Sequence, residues 1–197
     1  MITAKEVAAL RARTGAGMMD CKKALEETGG DIEKALDLLR QKGIARAGKR
    51  ADRGASEGVI GSYVHFNGKV AVLVELNCET DFVARTEDFV QLAKDLSLHI
   101  ASANPLAVSA EMVPGDVLER ETAIFRAQAA ESGKPEAVQE KMVEGKIRKF
   151  LEERVLLEQP FVKDDAVKVG DLVKAVSGKL GERVAVRRFV RYELGGE

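Results

Sequence analysis

What this 197-residue chain has little of narrows its class at once. It holds two cysteines, Cys21 and Cys78. A chain of this length buries enough surface to fold without a disulfide framework, so both read as reduced thiols with a packing role. It holds two histidines, His65 and His99, at no compact ligand spacing from either cysteine, which sets a zinc centre aside. His99 falls on the inner side of a helix and reads as half-buried. Neither charge sign prevails: 31 basic residues stand against 32 acidic ones, a formal net charge of −1. A protein whose main partner is bulk nucleic acid carries a basic excess, so no direct nucleic-acid partner is expected. The opening Met-Ile-Thr-Ala-Lys-Glu contains no apolar leader. No run approaches the ~20 apolar residues of a membrane span. The expected setting is the cytoplasm, without a membrane partner.

Nucleotide-cradling loops are missing too. Gly15-Ala-Gly-Met-Met-Asp20 has the look of a dinucleotide fingerprint, yet it follows a helix, and Asp20 occupies the third glycine position. Gly68-Lys69 is followed by Val70 where a phosphate loop needs Ser or Thr. No cofactor and no metal are expected, and the chain does not read as an enzyme. The one nucleophile to weigh is Cys78, at a strand end, but Glu75, Glu79 and Asp81 around it would raise its pKa.

What is present is an α+β pattern. Residues 1–43 read as a three-helix module. Thr3 and Glu6 form a capping box for the first helix, which carries Val7 and Leu10 and stops at Thr14-Gly15. The second places Met18, Cys21 and Leu25 on one face and ends at Gly29-Gly30. Asp31 caps the third, with Ile32, Ala35, Leu36 and Leu39 as its stripe, and Gly43 closes it. Residues 44–57 read as a basic linker carrying Arg46, Lys49, Arg50 and Arg53. Residues 58–197 read as the core. It has a strand over 58–66, a two-residue Asn67-Gly68 hairpin, a partner strand over 70–77 and a third strand over 184–192. Helices pack on this three-stranded antiparallel sheet, two of them pairing as a hairpin over about 116–150.

The most telling stretch is Val70 to Arg85. A strand runs straight into Thr80-Asp81-Phe82-Val83, and a helix with the stripe Phe89, Leu92, Ala93, Leu96 and Ile100 begins near Thr86. An aromatic ring beside a carboxylate on a surface corner suits a probe for another protein. The opposite reading, with Phe82 tucked into its own core, stands equally at this point. Met18 and Met19 pose the same question, since neighbours on a helix are about 100° apart and cannot both face one small core.

Two long motifs settle the comparison with known families. Arg11-Ala-Arg-Thr-Gly-Ala-Gly-Met-Met-Asp-Cys-Lys-Lys-Ala-Leu and Glu75-Leu-Asn-Cys-Glu-Thr-Asp-Phe-Val-Ala resemble the two signatures of elongation factor Ts, in the same order. Gly133-Lys-Pro, Lys141-Met-Val-Glu-Gly-Lys and Gln159-Pro-Phe-Val support them. The resemblance covers nearly the whole chain. It implies a guanine-nucleotide exchange factor for elongation factor Tu, bound in both its GDP form and its nucleotide-free form. It implies that the Asp81-Phe82 pair, on the Thr80–Val83 corner, wedges into the GTPase domain near the magnesium and phosphate site. It also implies that the N-terminal module, similar to ubiquitin-associated domains, docks on the same GTPase domain through Arg11, Met18 and Met19. With one core unit and an end at Glu197, the chain is similar to short members of the family, which are expected to pair as homodimers. The final β-rich run holds no cysteine to lock such a pair. Two readings from other classes remain: an RNA- or ribosome-binding adaptor using Arg46 to Arg53, and a thiol enzyme using Cys78.

Overall fold

The structure is a computed structural model describing residues 2–48, 50 and 52–196. Capping decides where its first helices begin. α1 (Ala4–Thr14) opens at Thr3, whose Oγ1 accepts the Glu6 N–H at 3.3 Å while the Glu6 carboxylate accepts the Thr3 N–H at 2.7 Å. It closes on Gly15, at φ 67°, whose N–H reaches the Arg11 carbonyl at 2.7 Å. α2 (Met18–Glu27) and α3 (Ile32–Gly48) follow, the latter capped by Asp31, which accepts the Lys34 N–H at 3.1 Å. The three helices close on Val7, Leu10, Cys21, Ala24, Leu25 and Ala35, with Leu36 and Leu39 packed against them. α3 does not end at Gly43 as the sequence suggests. It continues to Gly48.

β1 (Glu57–Val64) and β2 (Val70–Cys78) come next. The turn joining them is longer than the expected two-residue hairpin. His65 N–H donates to the Val70 carbonyl at 2.9 Å, and Gly68 N–H to the His65 carbonyl at 2.8 Å. Phe66 and Asn67 are therefore the central pair, and Gly68 follows at φ 69°. β2 leads through Thr80 into α4 (Asp81–Ala84), a single helical turn that the sequence did not announce, and then α5 (Glu87–Ala103). The α5 stripe is buried as expected: Phe89, Leu92, Ala93, Leu96 and Ile100. α6 (Gly115–Ala130) and α7 (Glu136–Arg154) form the helical hairpin. It is thinly packed: Phe125 meets Phe150 edge-on at 6.5 Å, and Ala129 and Val143 are its buried residues among those described. Beyond it lie β3 (Pro160–Phe161) and β4 (Asp164–Lys168), a small antiparallel pair where the sequence showed only extended chain. α8 (Val169–Leu180) and β5 (Ala185–Glu193) complete the order. β1, β2 and β5 form the three-stranded antiparallel sheet, with β2 in the middle.

The chain gathers into two compact units. One comprises Met1–Ile60, Glu75–Ala93 and Asp171–Val186; the other comprises Gly61–Val74, Lys94–Gly170 and Arg187–Glu197. In the first unit, α3 crosses α8 so closely that backbone meets backbone. A Cβ on Gly178 would stand 2.8 Å from the Gly43 Cα. Gly43 is thus a contact glycine in mid-helix, not a stop. In the second unit, His99 is fully buried, not half-buried. Its Nδ1 accepts the Val162 N–H at 3.2 Å, which leaves Nε2 to donate to Gln159 Oε1 at 2.9 Å. Burial pushes the His99 pKa down, so the ring is neutral.

Candidate functional site

The corner that follows β2 belongs to the first unit, and its geometry starts at Thr80. In an extended conformation (φ −130°, ψ 154°), Thr80 is the cap of α4, its Oγ1 accepting the Val83 N–H at 3.4 Å. Its carbonyl accepts the Ala84 N–H at 3.2 Å and the Cys78 thiol at 3.1 Å. Directly after the cap, the first turn of α4 carries Asp81 and Phe82. Ala84 is buried and Val83 half-buried, so the turn is anchored by one face. Phe82 projects from the other and is 81% exposed. The open question about this ring is answered: it is not sealed in its own core. An unprotected ring of this size on a pinned turn favours burial against something else. Asp81 Oδ2 accepts from the Arg85 guanidinium at 2.9 Å, both side chains being largely in solvent. Exposed pairs of this kind contribute little, so the carboxylate can trade Arg85 for another cation or donor.

What fixes the corner from beneath is a set of residues that sequence reading missed. The Glu182 carboxylate, just after α8, accepts the Glu79 N–H at 3.1 Å, the Thr80 N–H at 3.0 Å and the Thr80 hydroxyl at 2.6 Å. In return, the Glu79 carboxylate accepts the Arg183 N–H at 2.7 Å and Arg53 at 3.4 Å. The Arg183 N–H, followed by the Arg53 charge, holds Glu79 below the ordinary carboxylate range. Arg183 also donates to the Arg53 carbonyl, and Arg50 donates to the Ser177 carbonyl at 3.5 Å. Arg50 and Arg53 of the basic run therefore turn to the protein itself. Lys49 and the Arg46 side chain lie outside the described residues. No local motif flags Glu182, because its partners are 102 and 103 residues away.

The second group of candidates lies on the N-terminal helices of the same unit. Arg11 is exposed in the last turn of α1. Met18 and Met19 open α2, 46% and 62% exposed, so both face outward to a large degree. Among the described hydrogen bonds, ion pairs and ring contacts, none joins these three residues to Phe82. The side chain of Lys179 of α8 lies against Gly15 and pairs with Asp88 of α5 at 2.7 Å. A cavity of about 380 Å³ nearby is lined by Leu36, Leu39 and Val176. Three of its lining charges are paired: Arg13 with Glu33, Lys42 with Glu27, and Lys179 with Asp88.

Cys78 is buried, and burial, with Glu182 adding to it, pushes its thiol up, away from the thiolate. Among the described residues, no group of three His, Cys, Asp or Glu is placed to hold a metal ion. No helix among them is long and apolar enough to cross a membrane.

Comparison with known proteins agrees with the motifs. Residues 5–196 match the family described as Elongation factor TS. A protein of Syntrophobacter fumaroxidans named Elongation factor Ts is 54% identical over 100% of this chain and 98% of its own length. Proteins of the same name from Syntrophomonas wolfei and Thermosipho melanesiensis are 58% and 55% identical. Each alignment covers 99% of this chain, with 91% and 100% of the relative's length respectively.

Proposed function

We propose that this chain, which belongs to the elongation factor Ts family and is a translation elongation factor, acts as the guanine-nucleotide exchange factor of elongation factor Tu. The observation that carries the reading is Phe82, exposed on a corner held from both sides. Phe82 inserts into the GTPase domain close to the magnesium and phosphate site, with Asp81 beside it. Arg11, Met18 and Met19 supply a second contact, their thioethers adapting to a partner helix. The helices α1–α3 serve as the docking module. The action is linkage, not bond chemistry, and the chain is not an enzyme in the bond-making sense. A factor that binds the nucleotide-free partner better than the GDP form weakens GDP by the same ratio, and GTP later displaces the factor by the reciprocal argument.

The magnitudes are consistent with this division of labour. Each tenfold loosening of GDP needs about 1.4 kcal/mol of differential binding. Burying one Phe ring supplies roughly 1.5–3 kcal/mol, so Phe82 accounts for about 10- to 100-fold and the remaining contacts for the rest. The working compartment is the cytoplasm, where the partner acts. The functional form is a homodimer. Val64, Leu73, Val190 and Tyr192 leave an exposed apolar face on the sheet, on the side opposite the buried Val72 and Val74, and a second copy covers it.

The test is release of fluorescent GDP from elongation factor Tu, with and without this protein. Wild type accelerates release, and Phe82→Ala loses about 10- to 100-fold of the acceleration while keeping its circular dichroism. Unchanged release rates with Phe82→Ala would remove the wedge. Sedimentation of the wild type at a single-chain mass at micromolar concentration would remove the dimer.

A further inference from the structure

We infer that Glu182 is the positioning residue of the exchange reaction: its carboxylate fixes the Thr80 corner so that Phe82 is presented already ordered. The inference rests on the wedge reading of Phe82. Thr80 has three hydrogen-bonding groups, and each is committed. Its N–H and its hydroxyl donate to the two oxygens of Glu182, and its carbonyl ends the first turn of α4 at Ala84. The same hydroxyl accepts the Val83 N–H. Thr80 Oγ1 thus caps α4 with a lone pair while its own proton is held by Glu182, which fixes where that oxygen sits. The geometry chains the carboxylate to the cap, and the cap to the turn that carries Phe82.

Glu182 is itself held. Its carbonyl accepts the Ser177 hydroxyl at 2.5 Å, and the adjacent Arg183 N–H is bound by Glu79. The clasp is thus reciprocal: residue 79 grips 183 while 182 grips 79 and 80. α4 is four residues long and makes too few internal bonds to hold itself. Without Glu182, the corner samples other conformations, and the affinity of the inserted state falls by the fraction of time the corner is competent. Glu182 need not touch the partner for this effect.

Three Glu182 variants, Phe82→Ala and one double variant test the assignment in the GDP-release assay, with the full chain and subsaturating factor. Glu182→Ala should slow exchange about tenfold, and Glu182→Asp, which keeps the charge but withdraws the acceptors, should slow it similarly. Glu182→Gln should stay within about threefold of wild type. Its oxygen can accept both N–H groups, and its amide can donate to the free lone pair of Thr80 Oγ1. The deciding arm is the double variant. If Glu182 acts through the ring, Glu182→Ala has no further effect in a Phe82→Ala background. The same tenfold loss in both backgrounds would mean a general structural role and overturn the inference. So would wild-type rates in Glu182→Ala, or a loss in Glu182→Gln equal to that in Glu182→Ala. If Glu182→Ala does not fold, Glu182→Asp carries the same comparison. A Phe82→Ala variant that exchanges normally overturns the wedge itself, which is a different result from an inert Glu182.

Discussion

Two glycines that face each other should respond to the same substitution with opposite signs. At Gly178, an alanine Cβ would stand 2.8 Å from the Gly43 Cα and 2.9 Å from its carbonyl carbon and oxygen. All three are backbone atoms, so no side chain can swing away. Ordinary contact begins near 3.4 Å, and α3 and α8 must separate by about half an ångström. Overpacking of this kind costs about 1–3 kcal/mol. The gain from replacing a helical glycine offsets about 0.5–1 kcal/mol of it. The difference runs from about 0 to 2.5 kcal/mol, so Gly178→Ala should destabilise by about 1 kcal/mol. At Gly43, the nearest atom to a new Cβ is the Gly178 Cα at 3.8 Å, an ordinary distance. Gly43→Ala keeps the helix-propensity gain and should stabilise by up to about 1 kcal/mol. The assay is urea unfolding followed by far-ultraviolet circular dichroism. With a slope of ~1–3 kcal/mol per molar urea, the midpoints should part in opposite directions by several tenths of a molar. The combined variant should be worse than the sum, since the two new methyl groups share the crossing. Midpoints that move together, in either direction, would refute the close approach of α3 and α8.

Phe82→Ala should leave the urea midpoint unchanged within about 0.5 kcal/mol, because the ring gives its own fold almost nothing; a large loss would place it in the core. His99 predicts a pH dependence. Burial holds its folded pKa below the ordinary histidine value, so as pH falls through about 6.5 the unfolded chain binds the proton first and stability declines, by at most ~1.4 kcal/mol per pH unit. Above that range the group contributes no slope. His99→Gln should show a shallower loss between pH 6.5 and 5, and equal slopes would refute the assignment. Cys21 and Cys78 are both fully buried, and burial raises the Cys78 thiol. An aromatic disulfide reagent at pH 8 should therefore leave both intact in the folded chain and modify both in urea. Rapid native labelling of Cys78 would revive a reactive-thiol role.

Local signals were legible because their partners are close in sequence. Thr3 and Glu6 cap α1, Asp31 caps α3, and the α5 stripe from Phe89 to Ile100 needs only its own periodicity. The third sheet strand was legible from β-rich composition after Gly181. Misreadings came where a distant element decided. Gly43 looks like a helix stop because glycine usually is one; only Gly178, far along the chain, explains a glycine in mid-helix. His99 looked half-buried because Gln159 and the Val162 N–H, which satisfy both ring nitrogens, lie about sixty residues on. At the corner, Phe82 was visible as a candidate, but its exposure was not, since alternation cannot say which way a loop ring turns. Glu182 was invisible for the same reason as Gly178: an acidic residue after a helix looks like any solvated charge until the chain brings Thr80 to it.

The helical hairpin ends in a port for added sequence. Residues 131–138 are all exposed, and the tip is turned by Gly133 at φ 64° with a Ser132 hydroxyl bond to the Ala129 carbonyl. Each doubling of an inserted loop there costs only about 0.6 kcal/mol in closure entropy. An affinity tag or fluorescent label spliced between Gly133 and Lys134 would lengthen a connection that seals no apolar surface, which makes the tip a convenient handle for following the intact molecule at work.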